Sequence, residues 1–168
     1  MKKLFAFTFL VLTAAALLIP SLALVIADEH GRLVYVREVA IGERYTVRFI
    51  QSVERRPVDE VYEITPECSV LRETIYDMFG AGLPAEVESG QSFSVENGKF
   101  HIRGFDLHIP VLTYRIDKVV ADHTLLIGTD QYPLKKWAGP GRALTFTIRR
   151  GSLCSILFWK LQSWYDKL

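Results

Sequence analysis

The stretch from Tyr45 to Pro84 constrains the fold of this chain more than any other part of the sequence. Apolar and polar residues alternate along 45–53 and again along 58–64, as they do on strands with one buried face. The connection Glu54-Arg55-Arg56-Pro57 has a length that is common in hairpins. Its proline, which has no N–H group, stands where no hydrogen bond to a neighbouring strand is needed. The pattern predicts two antiparallel strands, and a turn at 66–69 leads into a third.

The expected strand register brings three polar residues onto a mostly apolar face. A symmetric first loop places Gln51 opposite Glu60, and a two-residue second loop places Tyr62 opposite Glu73. Two carboxylates on one dry face would repel, so one would hold a proton or a cation would lie nearby. Two interpretations of Gln51, Glu60 and Glu73 stay open: a pocket for a small ligand or metal, and an internal hydrogen-bond network.

Length and composition bound the class of protein. The chain has 168 residues, enough for one domain with a hydrophobic core. Hydrophobic residues make up 49% and charged residues 23%, which excludes a disordered chain, and the net charge of +1 does not favour nucleic acid as a partner. The sequence contains no Gly-x-Ser-x-Gly elbow, phosphate-binding loop, His-Glu-x-x-His or Cys-x-x-Cys motif. We therefore expect a non-enzymatic protein without a metal or another cofactor.

Residues 1–23 are expected to be a targeting segment. Two lysines precede an uncharged apolar run over 4–19, a proline ends the run, and Ser21-Leu22-Ala23 offers the small residues that a signal peptidase reads. Apolar character continues to Ala27, so both a cleaved signal peptide and an uncleaved anchor that spans the bilayer stay open. In either case the remaining chain is expected outside the cytoplasm, in the periplasm or on the outer face of the cell membrane.

Residues 24–150 are expected to form an extracytoplasmic β domain. The clearest hairpin surrounds Asn97-Gly98, the preferred pair for a type I′ turn, and sets Val95 opposite Phe100. On the other face of this hairpin we expect His101 to be solvated. Short strands at regular spacing, with no helical period before residue 150, predict an all-β fold, either a small antiparallel sandwich or a barrel.

Residues 151–168 differ from the rest of the chain. Apolar residues recur at helical spacing, which predicts an amphipathic helix over Ser152–Leu168. One interpretation is a helix that closes one end of the β domain. The other is an interfacial helix, because the aromatic content exceeds what such a cap needs. On that interpretation four residues contact the membrane or a partner: Phe158, Trp159, Trp164 and Tyr165.

The two cysteines allow two interpretations. Export would permit a disulfide between Cys68, in a turn, and Cys154, just beyond the last strand. We favour the other interpretation, two unrelated small residues. Two cysteines at this spacing do not make a metal motif.

Several segments, in their order and spacing, resemble the family called domain of unknown function 1850. They are Gln51-Ser52-Val53-Glu54, Pro57-Val58-x-Glu60, Glu73-Thr74-x-Tyr76 and Phe79-Gly80-Ala81-Gly82-Leu83-Pro84, and His123 through Leu134 is similar to its second half. Gln51 stands where that family has a histidine. Members of that family are usually encoded beside fused permeases of tripartite ATP-independent periplasmic (TRAP) transporters and their solute receptors, so the resemblance implies an accessory role in secondary solute uptake. It assigns no catalytic residue.

Two hypotheses about function follow from these observations. The first is a non-enzymatic extracytoplasmic domain, held at the membrane, that assists a TRAP-type permease and its solute receptor in secondary solute uptake. The second is a periplasmic β module that binds a small ligand or metal through Gln51, Glu60 and Glu73. We do not expect the turn Gly80-Ala81-Gly82-Leu83-Pro84 to bind a dinucleotide, because it leads into no helix.

Overall fold

A computed structural model describes residues 15, 17–78, 87–117 and 122–165 of the chain. The strands in this part are β1 (Pro20–Asp28), β2 (Leu33–Val39), β3 (Arg44–Ile50), β4 (Pro57–Ile64), β5 (Ser69–Tyr76), β6 (Ser92–Glu96), β7 (Lys99–Ile109), β8 (Leu112–Arg115), β9 (Thr124–Ile127), β10 (Asp130–Pro133) and β11 (Ala143–Ser152). A short 3₁₀ helix (Leu134–Lys136) follows β10, and helix α1 (Leu153–Tyr165) follows β11. The motif turn Gly80–Pro84 lies outside the described residues.

Two antiparallel sheets confirm the expected all-β sandwich and replace the barrel alternative. One sheet has the order β2-β1-β11-β8, and the other has the order β10-β9-β3-β4-β5-β7-β6. The main core lies between them, where Tyr45 stacks on Tyr62 with ring centroids 5.2 Å apart and on Phe146 of the other sheet at 6.3 Å. Each such buried side chain stabilises the fold by roughly 1.5–3 kcal/mol.

Strand β1 starts earlier than the sequence indicated. It begins at Pro20, four residues before the expected start of the β domain, and lies between β2 and β11. Pro20 is opposite Ser152, and Ala23 is opposite both Arg149 and Glu38 and is fully buried. Ser21-Leu22-Ala23 is thus part of the folded sheet. In the described part of the chain, no helix is long and apolar enough to cross a bilayer, and most of the predicted leader run 4–19 lies outside that part.

The hairpin β3–β4 forms as predicted, but in another register. Val47 is opposite Glu60, and Phe49 is opposite Val58. The connection is therefore 51–56, longer than the expected loop, and the Gln51 N–H donates to the Arg56 carbonyl at 2.9 Å. The register differs from the expected one by an even number of residues, so each side chain stays on the face of the sheet that the sequence pattern predicted.

A bulge in β5 changes the faces of the third strand. Leu71 is opposite Tyr62, whereas Glu73 is opposite Val61, so Arg72 is an extra residue without a partner position. A bulge reverses which residues face the core beyond it. Glu73 consequently points to the outer face of the seven-stranded sheet, away from the inner face that carries Tyr62.

Helix α1 packs on the outer face of the four-stranded sheet. Ile156 is buried there against Ala23 and Val25 of β1. Ser152 begins the helix as its N-cap, because its hydroxyl oxygen accepts the Ser155 N–H at 3.2 Å. The helix is shorter in the described residues than the predicted Ser152–Leu168, and residues 166–168 lie outside them.

The cysteines are not bonded to each other. Cys68 is a buried free thiol at the start of β5, and Cys154 is a free thiol exposed on α1. The disulfide alternative is therefore wrong in this structure.

Candidate functional site

The three polar residues expected on one face do not come together. Glu60 lies on the inner face of the seven-stranded sheet, Glu73 lies on its outer face, and Gln51 lies in the β3–β4 loop. The Gln51 side-chain oxygen accepts the Glu54 N–H at 2.7 Å, which closes that loop. The geometry therefore does not favour one pocket built from all three residues.

Glu60 belongs to a hydrogen-bond network between the two sheets. Its carboxylate accepts the hydroxyl of Tyr62 at 2.8 Å and also that of Tyr114, and the two phenol oxygens lie 2.7 Å apart. Tyr114 comes from β8, so it connects the four-stranded sheet to the seven-stranded one. Burial, together with the Glu60 charge, raises the pKa of Tyr114 and of Tyr62 well above the usual range. Both phenols therefore remain protonated donors at neutral pH.

Aromatic rings close around this network. The His123 ring lies 5.2 Å from the Tyr114 ring and 5.4 Å from the Phe49 ring, measured between centroids. Among the described residues, no group of three or more histidine, cysteine or acidic side chains is placed to hold a metal ion. The arrangement links the sheets, which agrees with the interpretation of Glu60 as part of an internal network.

A second network covers the outer face of the seven-stranded sheet. Glu73 accepts hydrogen bonds from Arg103 at 2.8 Å and lies 2.7 Å from the Nδ1 atom of His101. Arg103 also donates to both carboxylate oxygens of Glu96, at 2.7 and 3.0 Å. The expectation that His101 is solvated is wrong, because only 13% of its side chain is exposed beneath these charges. Arg103 thus neutralises two carboxylates, and the network stabilises the β6–β7 hairpin.

Cys68 and His108 resemble a nucleophile and its base, but the thiol is inaccessible. The sulfur lies 3.5 Å from His108 Nδ1, and His108 Nε2 lies 3.4 Å from Asp106. Cys68 is only 4% exposed. A substrate must reach a nucleophile directly, so this trio does not form a catalytic site in the folded domain.

Helix α1 carries five exposed apolar side chains on one side. We call this surface the apolar stripe; its residues are 47–75% exposed and recur three or four positions apart, namely Leu157, Phe158, Leu161, Trp164 and Tyr165. The stripe lies opposite the helix face that Ile156 and Ser163 bury. Trp159 is not part of it, because this half-buried ring packs towards the domain beside Gly151, with the Arg149 guanidinium 5.8 Å from its centroid.

The apolar stripe begins near the residues that connect β1 to the predicted leader. The Leu153 N–H, at the start of α1, donates to the Ile19 carbonyl at 3.2 Å. Leu18 and Ile19 are themselves exposed. An open cavity of about 520 Å³ lies at the same end of β1, between Leu22 and Ile41. Exposed apolar side chains therefore lie around the Pro20 end of β1, at Leu18, Ile19 and Ile41.

The family model of a domain of unknown function (DUF1850) matches residues 45–134, more than half of the chain. The chain belongs to the DUF1850 family. No curated protein and no solved structure matches it. The DUF1850 segment supplies almost all of the seven-stranded sheet together with β8, and so contains the Glu60 and Glu73 networks. The strands β1, β2 and β11 and the apolar stripe lie outside the matched residues.

Sequence reasoning missed most partners in these networks. Tyr114 and Arg103 are far along the chain from Glu60 and Glu73, and only the strand order brings them close. Alternation along β8 does place Tyr114 on an inward face, which was the one available signal. For the apolar stripe, the aromatic content of the tail gave a clear signal.

Proposed function

We propose that this DUF1850 protein is a non-enzymatic extracytoplasmic domain, held at the membrane by an uncleaved leader, that assists a TRAP-type permease and its solute receptor. The observation that carries the membrane part is the position of Ser21-Leu22-Ala23 inside β1. The resemblance of its motifs to the family supports the transporter part.

Cleavage after Ala23 is incompatible with the sheet as folded. It would remove 20–23 from a strand that pairs on both sides, with Leu22 opposite Arg150 and Val39. The ends of β2 and β11 would lose their ladder partners, and unpaired backbone groups that are buried cost free energy. The pairing of these residues therefore supports a leader that stays attached.

The chemistry of the described residues supports an accessory role. Their carboxylates on both faces of the seven-stranded sheet are satisfied by tyrosine or arginine donors, and no buried side-chain polar atom among the described residues lacks a hydrogen-bond partner. Such networks stabilise a scaffold and leave its surface for contacts with other molecules.

The test is expression of the full chain together with a TRAP-type permease and its solute receptor. We expect the protein in the membrane fraction, with the uncut mass of 19.1 kDa, and expect the permease to co-purify in mild detergent. Ser21→Lys is the matched control, because it puts a large cation where a signal peptidase reads a small residue. If the leader is not cut, the masses of the wild type and of this variant differ only by the mass of the substituted side chain.

Two results would contradict the proposal at different points. A soluble chain that has lost its first 23 residues in the wild type, but not in Ser21→Lys, refutes anchoring. A full-length membrane protein from which neither permease nor receptor is recovered refutes the transporter role alone.

A further inference from the structure

We infer that the apolar stripe of α1 docks on the lipid surface of the membrane, so that the helix lies in the headgroup layer. This inference rests on the proposed function, because it requires that the leader hold the domain at a bilayer. The lipid surface is then what covers the apolar stripe.

The two faces of α1 have separate partners. Ile156 and Trp159 face the four-stranded sheet, so the helix is docked without using the apolar stripe. Phe158, Leu161 and Trp164 are each about 65% exposed on the opposite side. A contiguous exposed apolar surface of this kind marks a contact with lipid or with another protein.

The connection to the leader favours lipid. Leu153 and Ile19 are joined by a backbone hydrogen bond, so α1 starts where the leader reaches the domain. A bilayer that holds the leader therefore lies beside the first turn of the helix. The 13 residues of α1 span about 20 Å, so a helix that lies along this surface can bring Trp164 to the same lipid layer.

The residue types also fit a headgroup layer. Tryptophan and tyrosine concentrate at membrane interfaces, where an apolar ring meets water at one edge. The described helix has no acidic residue, and Lys160 is exposed on its flank. Arg149, which is exposed, precedes the helix and lies on its side of the sheet, over Trp159. This charge pattern suits a surface that contains anionic phospholipid.

The test measures contact between lipid and Trp164 in the full chain. The purified protein is reconstituted into phosphatidylcholine vesicles, with and without phosphatidylglycerol, whose acyl chains carry bromine near the headgroup and quench tryptophan on contact. We expect quenching, stronger with phosphatidylglycerol, and expect Trp164→Phe to remove more than half of it. Trp137 serves as an internal reference, because it packs against both Tyr35 and Tyr132 in the domain.

Two matched variants separate docking from general surface changes. Leu161→Glu puts a carboxylate in the apolar stripe and keeps the Trp164 reporter, whereas Val95→Glu puts one on the similarly exposed edge strand β6. We expect Leu161→Glu to lower quenching at least twofold and Val95→Glu to leave it unchanged, with both variants folded by circular dichroism.

The outcomes distinguish this inference from the proposed function. An uncut chain whose tryptophans are not quenched, or are quenched equally in Leu161→Glu, overturns lipid docking and leaves anchoring intact. Loss of permease co-purification in Leu161→Glu with unchanged quenching assigns the stripe to the permease instead. Crosslinks between stripes of two copies, with no quenching, assign it to self-association. A cut chain in the same sample refutes anchoring itself.

Discussion

Glu60 is accommodated between two sheets because two phenols donate to it. Tyr62 comes from the same strand, and Tyr114 crosses from the other sheet. A hydrogen bond to a charged group contributes about 1.5–3 kcal/mol, and a carboxylate left with fewer donors is costly in a dry environment. At this position one residue therefore links the stability of both sheets.

Removal of one phenol hydroxyl tests this link. We expect Tyr114→Phe to lower the free energy of unfolding by about 1.5–3 kcal/mol, because Glu60 loses a buried donor. Urea denaturation measures the change. Tyr165→Phe is the control, since that side chain is 75% exposed and its loss of a hydroxyl is expected to be neutral. Equal midpoints for the two variants would show that water already satisfies Glu60.

Glu96 gives the outer face a defined pH dependence. Hydrogen bonds from Arg103, and then from Ser94, lower the pKa of Glu96 from 4.5 to about 2. A carboxyl whose pKa is lower in the folded state stabilises that state above its ordinary pKa and loses the contribution as the pH falls. The β6–β7 hairpin is therefore expected to loosen between pH 4.5 and pH 2.

Amide hydrogen exchange across this pH range measures the effect. Protection factors of the β7 amides, corrected for intrinsic exchange, are expected to fall as Glu96 takes up a proton. Glu96→Gln lacks the titrating group and is expected to show low protection with little further change below pH 4.5. A parallel fall in both proteins would assign the pH dependence to other groups.

At the scale of elements, the β6–β7 hairpin and the β5 bulge show what a sequence can specify. The hairpin register follows from Asn97-Gly98, whose positive φ angles of 50° and 75° are those of a type I′ turn. The bulge at Arg72 has no comparable residue signature, and it alone decides which face Glu73 occupies. Local alternation therefore predicted which segments are strands. The pairing between strands determined which polar side chains come together.

The same limit applies to the two other regions of interest. The β3–β4 register depended on Gln51, whose side chain closes a longer loop than the pattern indicated. The aromatic content of α1 predicted a contact surface, but the sequence could not separate Trp159 from Trp164. The difference between the two tryptophans depends on which face of the helix packs on the sheet. The structure shows that this is the face of Ile156, which contacts β1.

Gly98 provides a test of the turn. We expect Gly98→Ala to cost about 1–2 kcal/mol, because an alanine disfavours the left-handed conformation. A Cβ at this position would meet no atom within 4 Å, so the cost comes from the backbone alone. Gly139→Ala is the control, since that glycine also has open space but no positive φ. Thermal melts with equal midpoints would show that the turn relaxes to another type.

At the scale of the whole molecule, β1 joins the leader, the sheet and α1. It lies between β2 and β11, and its outward side chains Ala23 and Val25 receive Ile156 of the helix. The first residues of this strand thus connect the proposed leader to the packing of the four-stranded sheet. A change at the leader junction is expected to act on the stability of the domain as well as on its location.

Two shortened chains, each exported behind a leader that is known to be cut, separate these effects. One begins at Pro20 and the other at Leu24, the residue after the candidate cleavage site. The longer chain keeps all of β1 and is expected to unfold at the same urea concentration as the full chain in detergent. The shorter chain loses Leu22, which is partly buried against the main core, and Ala23, which is fully buried at the α1 contact, together with their backbone pairs.

We expect that loss to lower the free energy of unfolding by about 3 kcal/mol, since it removes a partly buried leucine, a buried alanine and several ladder hydrogen bonds, each of which contributes about 0.5–1.5 kcal/mol. A domain of this size has roughly 5–15 kcal/mol in total, so the shorter chain would be partly unfolded or degraded on export. Equal stability of the two chains would mean that residues 20–23 contribute nothing to the fold. Cleavage after Ala23 would then be compatible with a stable domain, and the argument for a retained leader would fail.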